Sequence, residues 1–191
     1  FLQFDGVDDE VYVRLRGARL WEAKQRAVEN CGQAGLGVVL VPTLVPGVNI
    51  DQIGPILQFG LDNAPGIRGV HFQPVSYFGR HGEAPKDAGR LTIPEVLKEI
   101  EVQTQGAFKE TAFRPSSCEH ALCSFTGKFL ITEDGRPSAL SPFTQGCCTP
   151  VPAEQGSKQA RGSVAKHWQA PGKKERPPAQ KNKSCSNTDK C

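Results

Sequence analysis

Short apolar runs alternate with amphipathic stretches along the first part of the chain. Two Val-rich runs, 37–43 and 69–75, are bounded by Gly and Pro, which is typical of strands buried on both faces of a parallel sheet. Asn49 and Gln52 lie between these runs and are predicted to cap a helix. The apolar residues of that helix share one face: Ile53, Ile56, Leu57 and Leu61. Strand, helix and strand in this order predict a right-handed βαβ unit with parallel strands.

Further elements flank this unit. The apolar run 1–4 predicts the end of another buried strand, and Asp8 is predicted to cap a short helix that Gly17 ends. A second helix is predicted over 20–34, and a third begins with a capping box at Thr92. The predicted inward face of the 20–34 helix is Leu20, Ala23, Ala27 and Cys31. The order β-α-α-β-α-β-α over residues 1–106 predicts an α/β fold, half of a barrel or half of a doubly wound sheet.

Polar residues collect where the predicted strands end. Parallel strands bring such residues to one mouth, which could bind a ribose, an amino-acid group or a phosphate. The candidates are Asp5, Thr43, Asn49, His71 and Gln73. Ordinary loop capping is the alternative for each of them. His71 and Gln73 are two residues apart and therefore share one side of their strand. Arg16 and Arg80 each lie beside a glycine just past a predicted helix or strand, and either could pair with a carboxylate.

The sequence predicts three parts: half of an α/β barrel over residues 1–106, a cysteine-containing region over 107–149 and a basic tail over 150–191. Residues 151–191 hold nine Lys and Arg against three Asp and Glu, so this segment is +6, whereas the remainder is −3. A Pro-, Gly- and Lys-rich composition from residue 150 onward predicts a disordered basic tail over 150–191. The body offers no general case for nucleic-acid binding. With no signal peptide and no apolar run long enough to span a bilayer, we expect a cytoplasmic protein. The chain has no Met, and we expect it to be a piece of a longer protein.

Four of the seven cysteines fall within region 107–149, a segment with short predicted strands that we expect not to fold on burial of its apolar residues alone. They are Cys118, Cys123, Cys147 and Cys148. Clustered thiols can hold zinc or an iron–sulfur cluster, and a metal can stabilise a segment that lacks its own core. His120 could replace one of the thiols as a ligand, and unligated thiols in a reducing cytosol are the alternative. The isolated Cys31 is most simply a small buried hydrophobic residue.

Several long motifs resemble one known family. The segments LQFDGVDDEVYVRLRG, VVLVPTLVPGVN, IRGVHFQPVSYFGR, RLTIPEVLKEIEVQTQG and FRPSSCEHALCSF are similar to the C-terminal half of a radical SAM enzyme. The resemblance covers residues 1 to about 146. The branch that the chain most resembles is the radical SAM (seleno)protein TrsS, which is related to tetraether lipid synthase-like and pterin-methylating radical SAM proteins.

This resemblance implies a fold, a chemistry and partners. The fold would be the C-terminal half of a partial (β/α)6 barrel that binds S-adenosylmethionine and a 4Fe–4S cluster. Reductive cleavage of S-adenosylmethionine would give a 5′-deoxyadenosyl radical that abstracts hydrogen from an unknown substrate. The resemblance places Asp5 on the ribose side, Thr43 and Val45 against the adenine or methionine, and Gln73 near the sulfonium or the substrate. A reductant such as ferredoxin or flavodoxin would be a partner, and a separate methyltransferase could be another.

The chain departs from that family in one respect. The CxxxCxxC loop that would ligate the catalytic cluster is absent, so the chain alone is expected to be inactive. The resemblance would place an auxiliary iron–sulfur cluster on the four cysteines of region 107–149. The alternative function is a non-catalytic iron–sulfur or zinc-binding module, or an electron-transfer partner. A cobalamin- or nicotinamide-binding domain is disfavoured because no GxGxxG follows any predicted strand.

Overall fold

The computed structural model describes residues 1–78, 86–115 and 123–140, together with residues 154, 157–158 and 161–162. The strands are β1 (Leu2–Gln3), β2 (Val38–Val41), β3 (Thr43–Leu44), β4 (Ile67–Val70), β5 (Gln73–Pro74), β6 (Arg114–Pro115), β7 (Phe125–Thr126), β8 (Phe129–Ile131) and β9 (Pro137–Ala139). The helices are α1 (Asp9–Arg16), α2 (Trp21–Gln33), α3 (Ile53–Asp62) and α4 (Ile93–Gln103). Short 3₁₀ turns lie at Ile50–Gln52, Asp87–Gly89 and Glu110–Ala112.

The central sheet is parallel, as predicted. β2 lies between β1 and β4, and β3 pairs in parallel with β5 beyond it. Pro42 separates β2 from β3 because proline has no N–H to donate. The ladder nevertheless continues, since the His71 N–H donates to Leu40 O at 2.8 Å and the Gln73 N–H donates to Pro42 O at 2.9 Å. Residues 38–40 are buried at every position, as expected of a strand covered on both faces.

Two of the predicted helix caps are confirmed. The Asp8 carboxylate accepts a hydrogen bond from the Val11 N–H at the start of α1, and Gly17 ends that helix with φ of 73°. Thr92 begins α4 with a complete capping box, in which Thr92 and Glu95 each bond the backbone of the other. These signals are local in sequence, so the sequence alone is sufficient to locate both helices.

The predicted cap of α3 is wrong. Asn49 precedes the 3₁₀ turn without a side-chain capping bond, and Gln52 precedes α3 in the same way. The Gln52 side chain instead accepts a hydrogen bond from the Val7 N–H at 3.1 Å. Both polar side chains therefore connect distant loops rather than the start of their own helix.

The buried face of α2 also differs from the prediction. Ala23 is exposed, whereas Val28 is buried and Trp21 and Cys31 pack against the core. Trp21 explains the rotation of the helix, because its ring packs edge-on against Phe4, with ring centroids 5.8 Å apart. This large aromatic side chain outweighs the small alanines in choosing which face is buried.

Helix α3 lies between two hydrophobic clusters. Cluster A packs the sheet against α2 and α3, and its buried members are Phe4, Val28, Val38, Leu40, Ile56 and Ile67. Cluster B packs the end of β3 against α3 and α4, and its buried members are Leu44, Ile53, Val96, Leu97, Ile100 and Phe108. Phe72 packs against both clusters. The predicted apolar face of α3 is thus divided between them.

Helix α4 does not repeat the arrangement of α3. Gln103, the last residue of α4, accepts a hydrogen bond from the Gly54 N–H at 2.9 Å and donates to Ile50 O at 2.8 Å. The C-terminal end of α4 therefore lies beside the N-terminal end of α3. Successive helices of a regular βα repeat run in the same direction, because the strands that they connect are parallel. The α/β class is confirmed, and the half-barrel stays a prediction.

The described part of region 107–140 packs onto cluster B. Phe113, Phe125 and Phe129 all contact this cluster, and the Phe129 ring lies edge-on to Phe108 with centroids 4.7 Å apart. β8 and β9 form an antiparallel hairpin around the predicted Asp-Gly turn, where Gly135 has φ of 78°. Burial of aromatic side chains therefore anchors this region, contrary to the expectation that its apolar residues would not suffice.

The three-part division of the chain and the disordered tail stay predictions. Within the described residues, no helix has the length and apolar content that crossing a membrane requires.

Candidate functional site

The carboxyl ends of three parallel strands meet at one edge of the sheet. Thr43 lies opposite Gln73 in the β3–β5 ladder. Asp5 follows β1, and its Oδ1 accepts a hydrogen bond from the Thr43 N–H at 3.2 Å. We call these three residues and their neighbours the strand-end edge; the neighbours are Arg16, Val45, Asn49 and His71. Three of the residues chosen from sequence are therefore neighbours across the sheet.

The Asp5 carboxylate is fully buried and fully engaged. Arg16 donates from Nε to Oδ2 at 2.7 Å and from Nη2 to Oδ1 at 3.1 Å, a bidentate ion pair. The Gln3 amide also donates to Oδ2, and the Thr43 N–H completes the set. Asp5 raises the pKa of Arg16, chiefly through the side-chain hydrogen bonds. The predicted pairing of Arg16 with a carboxylate is thus present, and Asp5 has no exposed oxygen to offer a ligand.

Asn49 holds two loops of the strand-end edge together. Its buried side-chain amide donates to Asp5 O at 2.9 Å and to Thr43 O at 2.8 Å, while its Oδ1 accepts from the Val45 N–H at 2.8 Å. All three bonds are to backbone groups of these loops. Asn49 therefore sets the relative position of the loops after β1 and β3.

Lys24, which lies outside the predicted inward face of α2, belongs to the same polar network. Its Nζ donates to Gln3 Oε1 at 2.9 Å, and the Gln3 amide in turn donates to Asp5. Burial lowers the pKa of Lys24, and the nearby Arg16 charge lowers it further, against the opposing influence of Asp5. No local signal could reveal this role, because it depends on the rotation of α2 that Trp21 imposes.

Tyr12 supports the loop that follows β1. Its hydroxyl donates to Gly6 O at 3.0 Å, and the side chain is fully buried. Burial is the main cause that raises the pKa of Tyr12 far above its ordinary value, so the phenol stays protonated and keeps its donor role.

The remaining candidates face solvent more fully. His71 and Gln73 are exposed, and Thr43 and Val45 are half-buried. Phe72, between His71 and Gln73, packs into both hydrophobic clusters. This alternation agrees with the expectation that His71 and Gln73 share one side of the strand.

The predicted metal site falls almost wholly outside the described residues. Cys123 is described and exposed, and Cys31 is described and half-buried. The others named from sequence lie outside the described residues: Cys118, His120, Cys147, Cys148 and Arg80. Within the described part, His, Cys, Asp and Glu form no group of three that could hold a metal ion.

Comparison with known proteins adds a relative. The chain is 38% identical over 159 residues to the 7,8-dihydro-6-hydroxymethylpterin dimethyltransferase of Methanocaldococcus jannaschii. That relative is named as an enzyme that dimethylates a reduced pterin. The match covers 83% of this chain and 31% of the relative, so the chain spans about a third of that protein's length. No family model matches the chain. The similarity supports the radical SAM, pterin-modifying branch of the resemblance, and the TrsS branch stays a prediction.

Proposed function

We propose that the chain forms the C-terminal part of the barrel of a radical SAM methyltransferase that acts on a reduced pterin or a chemically similar heteroaromatic ring. The observation that carries this proposal is the 38% identity to a pterin dimethyltransferase over 83% of the chain. The parallel sheet with polar residues at its carboxyl edge is compatible with it, since ligands of α/β folds bind at such edges.

In this proposal the strand-end edge contacts S-adenosylmethionine. Gln73 and His71 offer exposed polar groups, and the half-buried Thr43 and Val45 offer a mixed polar and apolar surface for an adenine or a methionine chain. Asp5 and Asn49 would act indirectly by fixing the loops after β1 and β3, because their side chains already form internal hydrogen bonds. These six residues are our proposed cofactor region.

The catalytic 4Fe–4S cluster would be held by cysteines supplied by a different part of the full protein. When bound, the cluster and S-adenosylmethionine supply one-electron cleavage of a sulfonium bond and abstraction of hydrogen. The part of this chain is to bind, to orient and to shield the reacting groups from water. Reduction would require a donor such as ferredoxin or flavodoxin. An auxiliary iron–sulfur cluster on Cys118, Cys123, Cys147 and Cys148 remains part of the proposal.

A binding experiment on the 191-residue chain tests the cofactor region. We expect S-adenosylhomocysteine to shift the backbone amide resonances of Thr43 and Gln73, and we expect Gln73→Ala to weaken binding several-fold. Gln58→Ala is the matched control, because Gln58 is an exposed glutamine on α3 whose amide donates to Asp62. Resonance shifts confined to the α3 surface, or equal affinity in both variants, would remove Gln73 from the site.

An activity experiment tests the reaction class. A longer protein that contains this chain together with the cluster-binding cysteines should transfer methyl groups from S-adenosylmethionine to 7,8-dihydro-6-hydroxymethylpterin under reducing, anaerobic conditions. Mass spectrometry of the pterin identifies the product. Cleavage of S-adenosylmethionine without pterin methylation would keep the radical chemistry and refute the substrate. If a fully reconstituted protein does not cleave S-adenosylmethionine, both the radical chemistry and the substrate are refuted.

A further inference from the structure

We propose that a cleft in region 107–140 binds a small aromatic anion, that is, a flat ring that carries a carboxylate or a phosphate group. The cleft has a volume of about 500 Å³ and lies between the turn that follows α4 and the β8–β9 hairpin. We call it the hairpin cleft, and its lining includes Ala107, Lys109, Phe129, Arg136, Pro137 and Ser138. It shares no residue with the strand-end edge, so this inference does not depend on the proposed methyl transfer.

An aromatic ring provides much of the apolar surface of the hairpin cleft. Phe129 lines the cleft and also packs against cluster B, where its ring lies edge-on to Phe108 and 5.6 Å from the ring centroid of Phe113. These contacts fix the orientation of the Phe129 ring. Pro137 and Ala107 add further apolar surface. A ligand ring can therefore stack on Phe129 or pack edge-on against it, at the centroid separations of about 4.5–7 Å that aromatic pairs prefer.

Two cations line the hairpin cleft, and no described carboxylate does. The Lys109 ammonium forms no ion pair within the part of the chain that the structure describes. Arg136 Nε lies 3.3 Å from Asp134 Oδ2, which leaves the two Nη groups without a carboxylate partner among the described residues. An anion beside Lys109 and Arg136 is attracted by both, and the attraction is stronger next to apolar surface than in open solvent.

Hydrogen bonds fix both walls of the hairpin cleft. The turn after α4 is held to that helix, because the Gly106 N–H donates to Glu101 O at 2.8 Å and the Glu110 N–H donates to the Glu101 carboxylate at 2.7 Å. The opposite wall is the β8–β9 ladder, where the Thr132 N–H donates to Arg136 O at 2.9 Å. Fixed walls lower the entropy lost on binding. The volume also lies within the range of roughly 300–1,000 Å³ that small-molecule sites occupy.

The first experiment titrates the isotope-labelled 191-residue chain with three probes at matched ionic strength. Benzoate has the ring and the charge, benzamide has the ring alone, and acetate has the charge alone. We expect benzoate to give saturable shifts of the Ala107 and Ser138 amide signals. Benzamide and acetate should bind about tenfold more weakly, because each uses only one of the two features of the cleft. Equal affinity for benzoate and benzamide would overturn the inference, as would the absence of saturable benzoate binding or shifts confined to other parts of the chain.

The second experiment removes the cations one at a time. Lys109→Gln and Arg136→Gln should each weaken benzoate binding about two- to fivefold, which is the range for one exposed ion pair. Lys109→Arg keeps the charge and should bind benzoate like the parent chain. Lys128→Gln is the matched control, because Lys128 is an exposed lysine next to β8 that does not line the cleft. Equal losses in Lys109→Gln and Lys128→Gln would assign the effect to the overall charge of the chain and overturn the inference.

A last arm distinguishes the two kinds of anion. Phenyl phosphate replaces benzoate in the same titration, so the ring is kept and only the anionic group changes. Tighter binding of phenyl phosphate that Arg136→Gln abolishes would assign the hairpin cleft to a phosphate ester, because a guanidinium can contact two phosphate oxygens at once. Tighter binding of benzoate would assign it to an aromatic carboxylate.

Discussion

At the scale of single residues, the polar side chains of the strand-end edge stabilise the fold as well as the site. Asp5, Arg16 and Asn49 connect loops that are far apart in sequence, and each bond satisfies a group that has left water. A buried charge is tolerated only while its partner is present, because removing the partner leaves the desolvation cost of the remaining charge uncompensated. The two predictions that follow separate charge pairing from simple hydrogen bonding.

The Asp5–Arg16 ion pair should show coupling in a double-mutant cycle. We expect Arg16→Gln to destabilise the fold more than Asp5→Asn does, since only the former leaves a buried charge unpaired. The coupling energy should be about 1–2 kcal/mol, because Arg16 is 37% exposed and water screens part of the attraction. Urea unfolding of the two single variants and the double variant measures it. Strictly additive effects would mean that the pair contributes no net stability.

Asn49 should tolerate alanine better than aspartate. Asn49→Asp replaces an amide donor with a carboxylate that faces two carbonyl oxygens, those of Asp5 and Thr43. We expect Asn49→Asp to lower the free energy of unfolding by about 2–4 kcal/mol at neutral pH. This loss should become smaller in acid, as the new carboxyl group is protonated. Asn49→Ala should cost less and show no such pH dependence. Denaturant titrations at several pH values check this, and identical losses for both variants would contradict it.

At the scale of elements, the contact between α3 and α4 depends on close approach at a glycine. A Cβ on Gly54 would lie 2.9 Å from the Gln103 Cβ and 3.1 Å from the Gln103 O, so the helices would have to separate. A Cβ on Gly60, in the same helix, would meet only the Ile67 and Val70 Cγ2 atoms, both at 3.7 Å. The same chemical change should therefore have opposite effects at two positions of one helix.

Gly54→Ala should destabilise the protein by about 1–3 kcal/mol despite the higher helix propensity of alanine. Gly60→Ala should stabilise it by about 0.5–1 kcal/mol, because the contacts there are ordinary and the propensity gain is not offset. Thermal unfolding of both variants gives the two signs. A stabilised Gly54→Ala protein would show that α4 is not held against α3 at this point.

The capping box of α4 makes stability depend on pH in a defined window. The Thr92 N–H and hydroxyl both donate to Glu95 Oε2 at 2.7 Å, and the backbone bond is the larger of these causes in lowering the pKa of Glu95 from its ordinary 4.5. The stabilisation is therefore present above pH 4.5 and is lost as the pH falls through the lower pKa of the folded state. Wild type should exceed Glu95→Gln in melting temperature at neutral pH and match it in strong acid. A constant difference at all pH values would assign the effect to something other than ionisation.

Local signals in the sequence were sufficient for most elements but not for their mutual contacts. The Val-rich runs and the caps at Asp8 and Thr92 are read within a few residues, and the structure confirms them. The roles of Asn49 and Lys24 depend on partners up to 44 and 21 residues away, which no periodicity encodes. The position of the C-terminal end of α4 beside the start of α3 has the same cause, since it depends on the hydrogen bonds of Gln103 with Gly54 and Ile50. Strand-end geometry did identify Asp5, Thr43 and Gln73 as neighbours.

At the scale of the whole molecule, both hydrophobic clusters must stay folded for the strand-end edge to stay intact. Cluster A supports β1 and β2, whereas cluster B supports β3, α4 and the aromatic side chains of region 107–140. Helix α3 and Phe72 are shared by both. Phe72 lies between the exposed His71 and Gln73, so the side chain that joins the clusters also fixes the strand that presents two candidate ligand-binding residues.

Phe72→Ala should reduce both stability and cooperativity. Because Phe72 is only partly buried, we expect a loss of about 2–3 kcal/mol, below the cost of emptying a fully buried phenylalanine site. Cluster A can be followed by Trp21 fluorescence in a Trp168→Phe background, since the chain has two tryptophans, and cluster B by hydrogen exchange of the α4 amides. The two transitions should coincide in the parent protein and separate in Phe72→Ala.

Phe59→Ala is the control, because Phe59 packs against cluster A and not against cluster B. This variant should be less stable than the parent protein, but its two transitions should still coincide. Coincident transitions in Phe72→Ala would mean that α3 alone transmits the coupling.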